Sequence, residues 1–380
     1  MILLRADIER RERETLAPYA AKSADSRGRD FPESEDPFRT CFQRDRDRII
    51  HSKSFRRLKG KTQVFVAHYG DHYRSRLAHS MEVAQLSRDM ARALGLNEDL
   101  AETIALAHDL GHTPFGHAGQ DALHECMAKH GLSFEHNEQS RRVVTLLEQK
   151  KPDYPGLNLS FEVLDGMMKH RESGEMSPLS GTFKPSLEAQ LVDLSDKIAY
   201  LNHDIDDGIR ARILSSESLD SLALWRQAKE TVRADLSHSH FISAMISSLI
   251  TLMAKDLMSN TDRLIRERKI TTLDQVYKTQ DSLVAFSDGV AGEVRLVKRF
   301  LYDRFYTSPG VMQYNNRGQE VIRFLFDELL KKPSLIPENF SVRGEEALIQ
   351  VKDHIASMTD EYAMDLYDKL HWKAFSRSEI

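Results

Sequence analysis

The chain has 380 residues, 41% of them hydrophobic, with 53 Lys/Arg against 58 Asp/Glu and a net charge of -5; this is enough for one large or two smaller domains with a substantial core. The acidic balance argues against wholesale nucleic-acid binding, and two cysteines, Cys41 and Cys126, exclude a disulfide framework and a thiolate metal cage. The opening MILLRADIERRERETL turns charged after four residues, unlike a signal peptide, and no apolar run approaches the roughly 20 residues that span a bilayer, so a soluble, reduced, cytoplasmic protein is expected.

Residues 1–36 begin as a charged helix and pass into SADSRGRDFPESEDP, a polar stretch punctuated by Gly and Pro that reads as an exposed arm. Between Arg39 and Lys61 there are nine Lys/Arg against two Asp. The RDRDR within it suggests a salt-bridged helix of alternating charge. Only Phe42 and Phe55 interleave the basic residues, which is thin for a base-stacking platform.

RSRLAHSMEVAQLSRDMARALG spaces Leu77, Met81, Ala84, Leu86, Met90 and Leu94 as a helix, with Gly95 as its cap. NEDLAETIALAHDLG predicts a second helix, capped by Asn97 and stopped by Gly111. PSLEAQLVDLSDKIAYLNHDIDDGIRARIL predicts a long helix from about Ser186, carrying Gly208 inside it. Helical patterns continue past Ser215 through FISAMISSLITLMAKDLMS and EVRLVKRFLYDRFY. With few β-type alternations and no internal repeat, the expected class is all-α. The boundaries expected are an arm at 1–36, a central domain at 37–215 and a C-terminal helical region at 216–380.

Chemistry is concentrated in ALAHDLGHTPFGHAGQ, where His108, Asp109, His112 and His117 fall within ten residues across a helix end and a turn. On the long helix Asp193, Asp196, Lys197, Tyr200, Asp204 and Asp207 share one broad face, opposite Leu191, Leu194, Ile198, Leu201 and Ile205. A solvated amphipathic face would explain any single aspartate there. Helical bundles, however, build metal sites from inward-facing His and carboxylates. A four-ligand set of His79, His108, Asp109 and Asp196 suits a divalent ion such as Mn²⁺, Fe²⁺, Co²⁺, Ni²⁺ or Zn²⁺.

The order His…His-Asp…Asp with its HDLGH signature resembles the HD superfamily of metal-dependent phosphohydrolases. The likeness extends through RTCFQRDRDRIIHSKSFRRLKGKTQVF (39–65), RSRLAHSMEVAQLSRDMA (74–91), HDLGHTPFGHAG (108–119), FEHNEQSRRVV (134–144) and LVDLSDKIAYLNHDIDDG (191–208). Together these resemble the deoxyguanosine-triphosphate triphosphohydrolase family over most of residues 39–210, and VKRFLYDRFYTSPGVM resembles a helical segment of bacterial members. The resemblance implies an HD helical bundle that hydrolyses deoxynucleoside triphosphates at the α-phosphorus with Mn²⁺ or Mg²⁺.

It also implies roles. His117 stands nearest the leaving oxygen, supported by His112 and His136. Arg76, Lys197 and Tyr200 contact phosphates, and Gln63 and Asp204 hold the deoxyribose. It further implies a homo-oligomer, hexamer or tetramer, and a possible regulatory nucleotide or single-stranded DNA as partner. Gln120 departs from the glutamate many bacterial members carry, and an amide cannot serve His117 as a base partner; Lys197 varies among bacterial members. Another HD-type nucleotide phosphohydrolase or phosphodiesterase, and a nucleotide- or DNA-sensing module with weak catalysis, are the alternative readings.

Overall fold

A computed structural model describes residues 2–63, 74–168, 181–233, 235–337 and 346–378, with side chains to Trp372. Val64 and Phe65, which close the first family-like segment, lie outside the described residues. The described chain is all-α, with no strand and only two isolated bridges, Arg29 with Ser160 and Thr62 with Ser75. Its helices are α1 (Arg5–Thr15), α2 (Cys41–Ile50), α3 (Lys53–Arg57), α4 (Arg76–Ala93), α5 (Glu98–Ala107), α6 (Gly116–Ala128), α7 (His136–Arg142), α8 (Phe161–Gly166) and α9 (Leu187–Arg210). There follow α10 (Ser216–Leu219), α11 (Ala223–Thr231), α12 (His238–Glu267), α13 (Leu273–Lys278), α14 (Asp288–Leu301), α15 (Pro309–Lys331), α16 (Ala347–Ser357) and α17 (Asp360–Ser378).

The ends of these helices follow their sequence signals. The Asn97 side chain accepts from Leu100 N at 3.1 Å and caps α5, with Glu98 and Asp99 in the first turn. Ser186 caps α9 by accepting from Ala189 N at 3.3 Å. Gly95, at φ +66°, turns the chain after α4, and Leu96 N closes on Ala91 O at 2.8 Å. On α4 the buried side runs through Ser80, Val83, Ser87 and Met90, whereas Met81, expected on the apolar stripe, is 58% exposed.

Two compact units interleave along the chain: Met1–Arg46, Met81–Leu106 and Ser160–Ser308 form the first, and Asp47–Ser80, Ala107–Leu159 and Pro309–Ile380 the second. In the first unit α9 packs against α8, α12 and α14, around Leu191, Ile198, Leu201, Met245, Leu249 and Leu301. In the second unit α15 packs against α6, α16 and α17, and its core joins Phe115, Leu123, Phe134, Val321, Phe326, Val351 and Ile355.

The segment read as an exposed arm is largely exposed but tied down within the first unit. Glu12 accepts from Ser23 N and Oγ at 2.7 Å each, Glu162 accepts from Arg27 N at 2.8 Å, and Arg29 pairs with the buried Asp45. Three arginines of the basic stretch have partners within the protein. Arg44 meets Glu33 at 3.3 Å, Arg46 meets Asp99 and Glu102 at 2.8 Å each, and Arg48 donates to the carbonyls of Leu157 and Asn158.

Helix α12 departs from the sequence expectation about apolar runs. By length and composition it could cross a membrane, with a mean hydropathy of 1.5 over its best 18-residue window, 28% of which is buried. Serines and threonines interrupt its apolar residues, which hides how long the run without Lys, Arg, Asp or Glu is. Ile242, Met245, Leu249, Met253 and Leu257 form its buried stripe.

Candidate functional site

Within the second unit, α5 ends at Ala107 and the chain turns through His108–Gly111. Ser140 of α7 fixes that turn: its Oγ donates to His108 O at 2.9 Å and accepts from Gly111 N at 2.8 Å. His108 and Asp109 are thereby presented beside His79 from the first turn of α4. One ligand atom from each of the three lies within 4.8 Å of the others, and all three residues are buried. Two imidazoles and a carboxylate converging in a buried place fit a borderline divalent ion.

Asp109 is the hub. Its Oδ1 lies 3.0 Å from His108 Nε2 and 3.3 Å from His112 Nε2, and its Oδ2 accepts from Arg76 Nη1 at 2.8 Å. Burial alone would raise its pKa, but the neighbouring His108, His112 and Arg76 outweigh that and hold the carboxyl well below the usual range. Arg76, expected as a phosphate contact, is thus a buried partner of Asp109, and its Nη2 also donates to Gln63 O at 3.4 Å.

A second group of imidazoles adjoins the first. His112 stacks on His136 with ring centroids 3.9 Å apart, and His117 meets His112 edge-on at 5.5 Å and His136 at 6.2 Å. Asp109, His112 and His136 also bring ligand atoms within 4.8 Å of one another. His112 is buried, and desolvation, then the charge of Arg76, pulls its pKa well below 6.5. His117 is exposed, on the first turn of α6.

Gln120 does not simply lack a role. Its Oε1 accepts from His136 Nδ1 at 2.7 Å and from His136 N at 3.3 Å, while its Nε2 faces Glu135 at 3.5 Å. An amide oxygen only accepts, so Nδ1 carries a hydrogen in this contact.

The remaining expected residues lie on α9 in the first unit. Asp193, Asp196, Lys197, Tyr200 and Asp207 are half-buried and Asp204 is buried, so this face is not a solvated one. Burial, then Lys298, lowers the Lys197 pKa; burial, then Asp196 and Asp204, raises that of Tyr200. Asp204 Oδ2 accepts from the hydroxyl of Tyr306, which sits on a π-helical turn, Tyr302–Tyr306, at the end of α14. Sequence reasoning missed Tyr306 and Ser140, although EVRLVKRFLYDRFY was read as helix: a pairing 102 residues apart leaves no local signal.

Comparison with known proteins agrees with this chemistry. The HD domain matches residues 76–201, and the phosphohydrolase-associated domain matches residues 284–369. A deoxyguanosinetriphosphate triphosphohydrolase-like protein of Azoarcus sp. (strain BH72) is 46% identical over 377 residues, covering 96% of this chain and 98% of that one. Proteins of the same description from Brucella suis and Geobacter metallireducens are each 43% identical, over 95% and 94% of this chain and 96% of theirs. The chain belongs to the deoxyguanosinetriphosphate triphosphohydrolase-like family and is an HD-domain phosphohydrolase.

Proposed function

We propose that the protein hydrolyses deoxynucleoside triphosphates at the α-phosphorus, releasing deoxynucleoside and inorganic triphosphate. The observation that carries the reading is the buried His79–His108–Asp109 cluster beside the three imidazoles of His112, His117 and His136. A phosphoryl-transfer site needs a cation for the phosphate and a proton donor for a basic leaving group, and these two sets supply both. The names of the relatives point to the same substrate class.

His79, His108, Asp109 and, from α9, Asp196 would hold a divalent ion, Mn²⁺ or Mg²⁺. When bound, that ion supplies Lewis-acid charge for a phosphoryl oxygen and lowers the pKa of a nearby water. Lys197 and Tyr200 bind and orient the triphosphate through charge-assisted hydrogen bonds, while Arg76 holds the Asp109 carboxylate. Gln63 and Asp204 hold the deoxyribose, with Tyr306 fixing the Asp204 carboxylate.

Water attacks the α-phosphorus and loses a proton to solvent, the bond from phosphorus to the 5′-oxygen breaks, and that oxygen takes a proton from His117, which the solvent then restores. His112 stays neutral through burial, and His136, oriented by Gln120, supports it. The carboxylate and carbonyl partners of Arg44, Arg46 and Arg48 favour a scaffold role for the basic stretch over binding of single-stranded DNA. A cytoplasmic homo-oligomer completes the reading.

The test offers the purified protein with Mn²⁺ or Mg²⁺ each deoxynucleoside triphosphate singly and then all four mixed, with ion-exchange separation of the products. Deoxynucleoside with intact triphosphate is expected. Orthophosphate or pyrophosphate would point to another HD hydrolase instead.

A further inference from the structure

The turn that carries His112 into His117 has an unfavourable backbone. Phe115 has φ +62° and Gly116 φ +58°, two consecutive left-handed residues, the first a bulky aromatic. A non-glycine residue is held in that region only when its surroundings over-determine it. The surroundings here come from the far end of the chain. Asp360, the first residue of α17, accepts from Phe115 N at 3.0 Å through Oδ1 and from Thr62 N at 3.0 Å through Oδ2. Tyr314 of α15 donates to the same Oδ2 at 3.0 Å, and its ring lies 6.1 Å from that of Phe115.

Two further contacts close the same joint. Lys61, buried, donates from Nζ to His112 O and to Ala356 O, the latter at 2.8 Å. Helix α15 runs so close that a Cβ on Gly318 would stand 2.6 Å from Phe115 Cβ. The start of α17 therefore grips the catalytic turn at the amide of Phe115 through Asp360, and the end of α16 holds Lys61, which grips the carbonyl of His112. All these residues belong to the second unit.

We propose that Asp360 is a positioning residue, which, with Lys61, holds Phe115 and Gly116 left-handed and so aims His117. A carboxylate suits this place because both its oxygens accept and both backbone donors it meets are amides. Asparagine keeps one acceptor and turns an NH₂ toward the other amide. The C-terminal segment thereby becomes part of the catalytic apparatus while carrying no reacting group. Only the kinetic arm of this proposal rests on the triphosphohydrolase reading.

The test compares full-length wild type, Asp360→Asn and Tyr314→Phe in amide hydrogen exchange, bound-metal content and steady-state kinetics. For Asp360→Asn, exchange at Phe115–Ala118 rises by about tenfold or more and kcat falls about tenfold or more, with KM within about threefold and metal content unchanged. Tyr314→Phe, which keeps both amide bonds, changes each by less than about threefold. Wild-type exchange and kcat in Asp360→Asn would overturn the proposal, as would a loss of metal and cooperative melting in step with activity. Should the wild type release no triphosphate, exchange decides alone: loosened Phe115–Ala118 upholds the clamp while the triphosphohydrolase reading fails, and unchanged protection sinks the clamp.

Discussion

Arg76 and Asp109 are joined within the protein, Nη1 to Oδ2 at 2.8 Å, with both side chains almost fully excluded from solvent. The pair ties the first turn of α4, which also carries His79, to the turn that carries His108. A guanidinium in this place stabilises the carboxylate that the metal set needs and at the same time constrains its direction. Replacing Arg76 by Met leaves Asp109 buried without that cation. A loss of about 3–5 kcal/mol in unfolding free energy is expected, read by urea titration. A loss under about 1 kcal/mol would mean that water or a neighbouring group takes over the partnership.

Gln120 and His136 give a cleaner separation of roles. Gln120→Leu removes the acceptor at His136 Nδ1 and should lower kcat about tenfold with little change in stability. Gln120→Glu preserves the acceptor and should retain most of the activity. Equal losses in both variants would show that the amide group, rather than its oxygen, is what the site requires.

Gly318 lies in the interior of α15, where alanine ordinarily stabilises a helix. Here the added methyl would stand 2.6 Å from Phe115 Cβ and 2.7 Å from Phe115 Cγ. Gly318→Ala should therefore destabilise the protein by about 1–3 kcal/mol through overpacking. Thermal unfolding checks the sign, and a raised midpoint would contradict the packing of α15 on the catalytic turn.

His354 is buried on α16, and desolvation, followed by the charge of Arg57, lowers its pKa to about 4. In the unfolded chain the imidazole titrates near 6.5, so between pH 6.5 and 4 the unfolded state binds the proton first. Stability from this residue is complete above pH 6.5 and falls as the pH drops toward 4, by about 3 kcal/mol in all. His354→Gln should flatten that part of the pH profile, measured by urea unfolding at several pH values. An unchanged slope would locate the acid sensitivity elsewhere.

Much of the helical scaffold was legible because its signals are local. Asn97 and Ser186 cap helices where the pattern begins, and Gly95 turns the chain with a positive φ. The candidate metal trio was legible for the same reason: His108 and Asp109 are adjacent, and His79 occupies a helical position before them. What could not be read is what holds those residues in place. Ser140 lies 29 residues from Gly111, Tyr306 lies 102 from Asp204, and Asp360 lies 245 from Phe115. Each pairing depends on tertiary packing that no local periodicity encodes. The aspartate face of α9 illustrates the converse: its spacing was plain, but only the fold shows that none of the six residues is fully exposed.

Asp196 distinguishes a hydrolase from a sensor. Asp196→Ala should abolish turnover, and equilibrium binding of a deoxynucleoside triphosphate measured beside it shows whether the substrate pocket survives. Unchanged turnover in this variant would contradict the proposed role of Asp196 as a metal ligand.

The most direct measurement is a turnover in ¹⁸O-labelled water with Mn²⁺ and a deoxynucleoside triphosphate, followed by mass spectrometry of the products. Attack at the α-phosphorus puts one labelled oxygen into the inorganic triphosphate and leaves the deoxynucleoside unlabelled. That is the expected result. Label in orthophosphate or pyrophosphate would place the attack at another phosphorus, and label in a nucleoside monophosphate would mean that pyrophosphate leaves in place of the deoxynucleoside; either contradicts the proposed reaction.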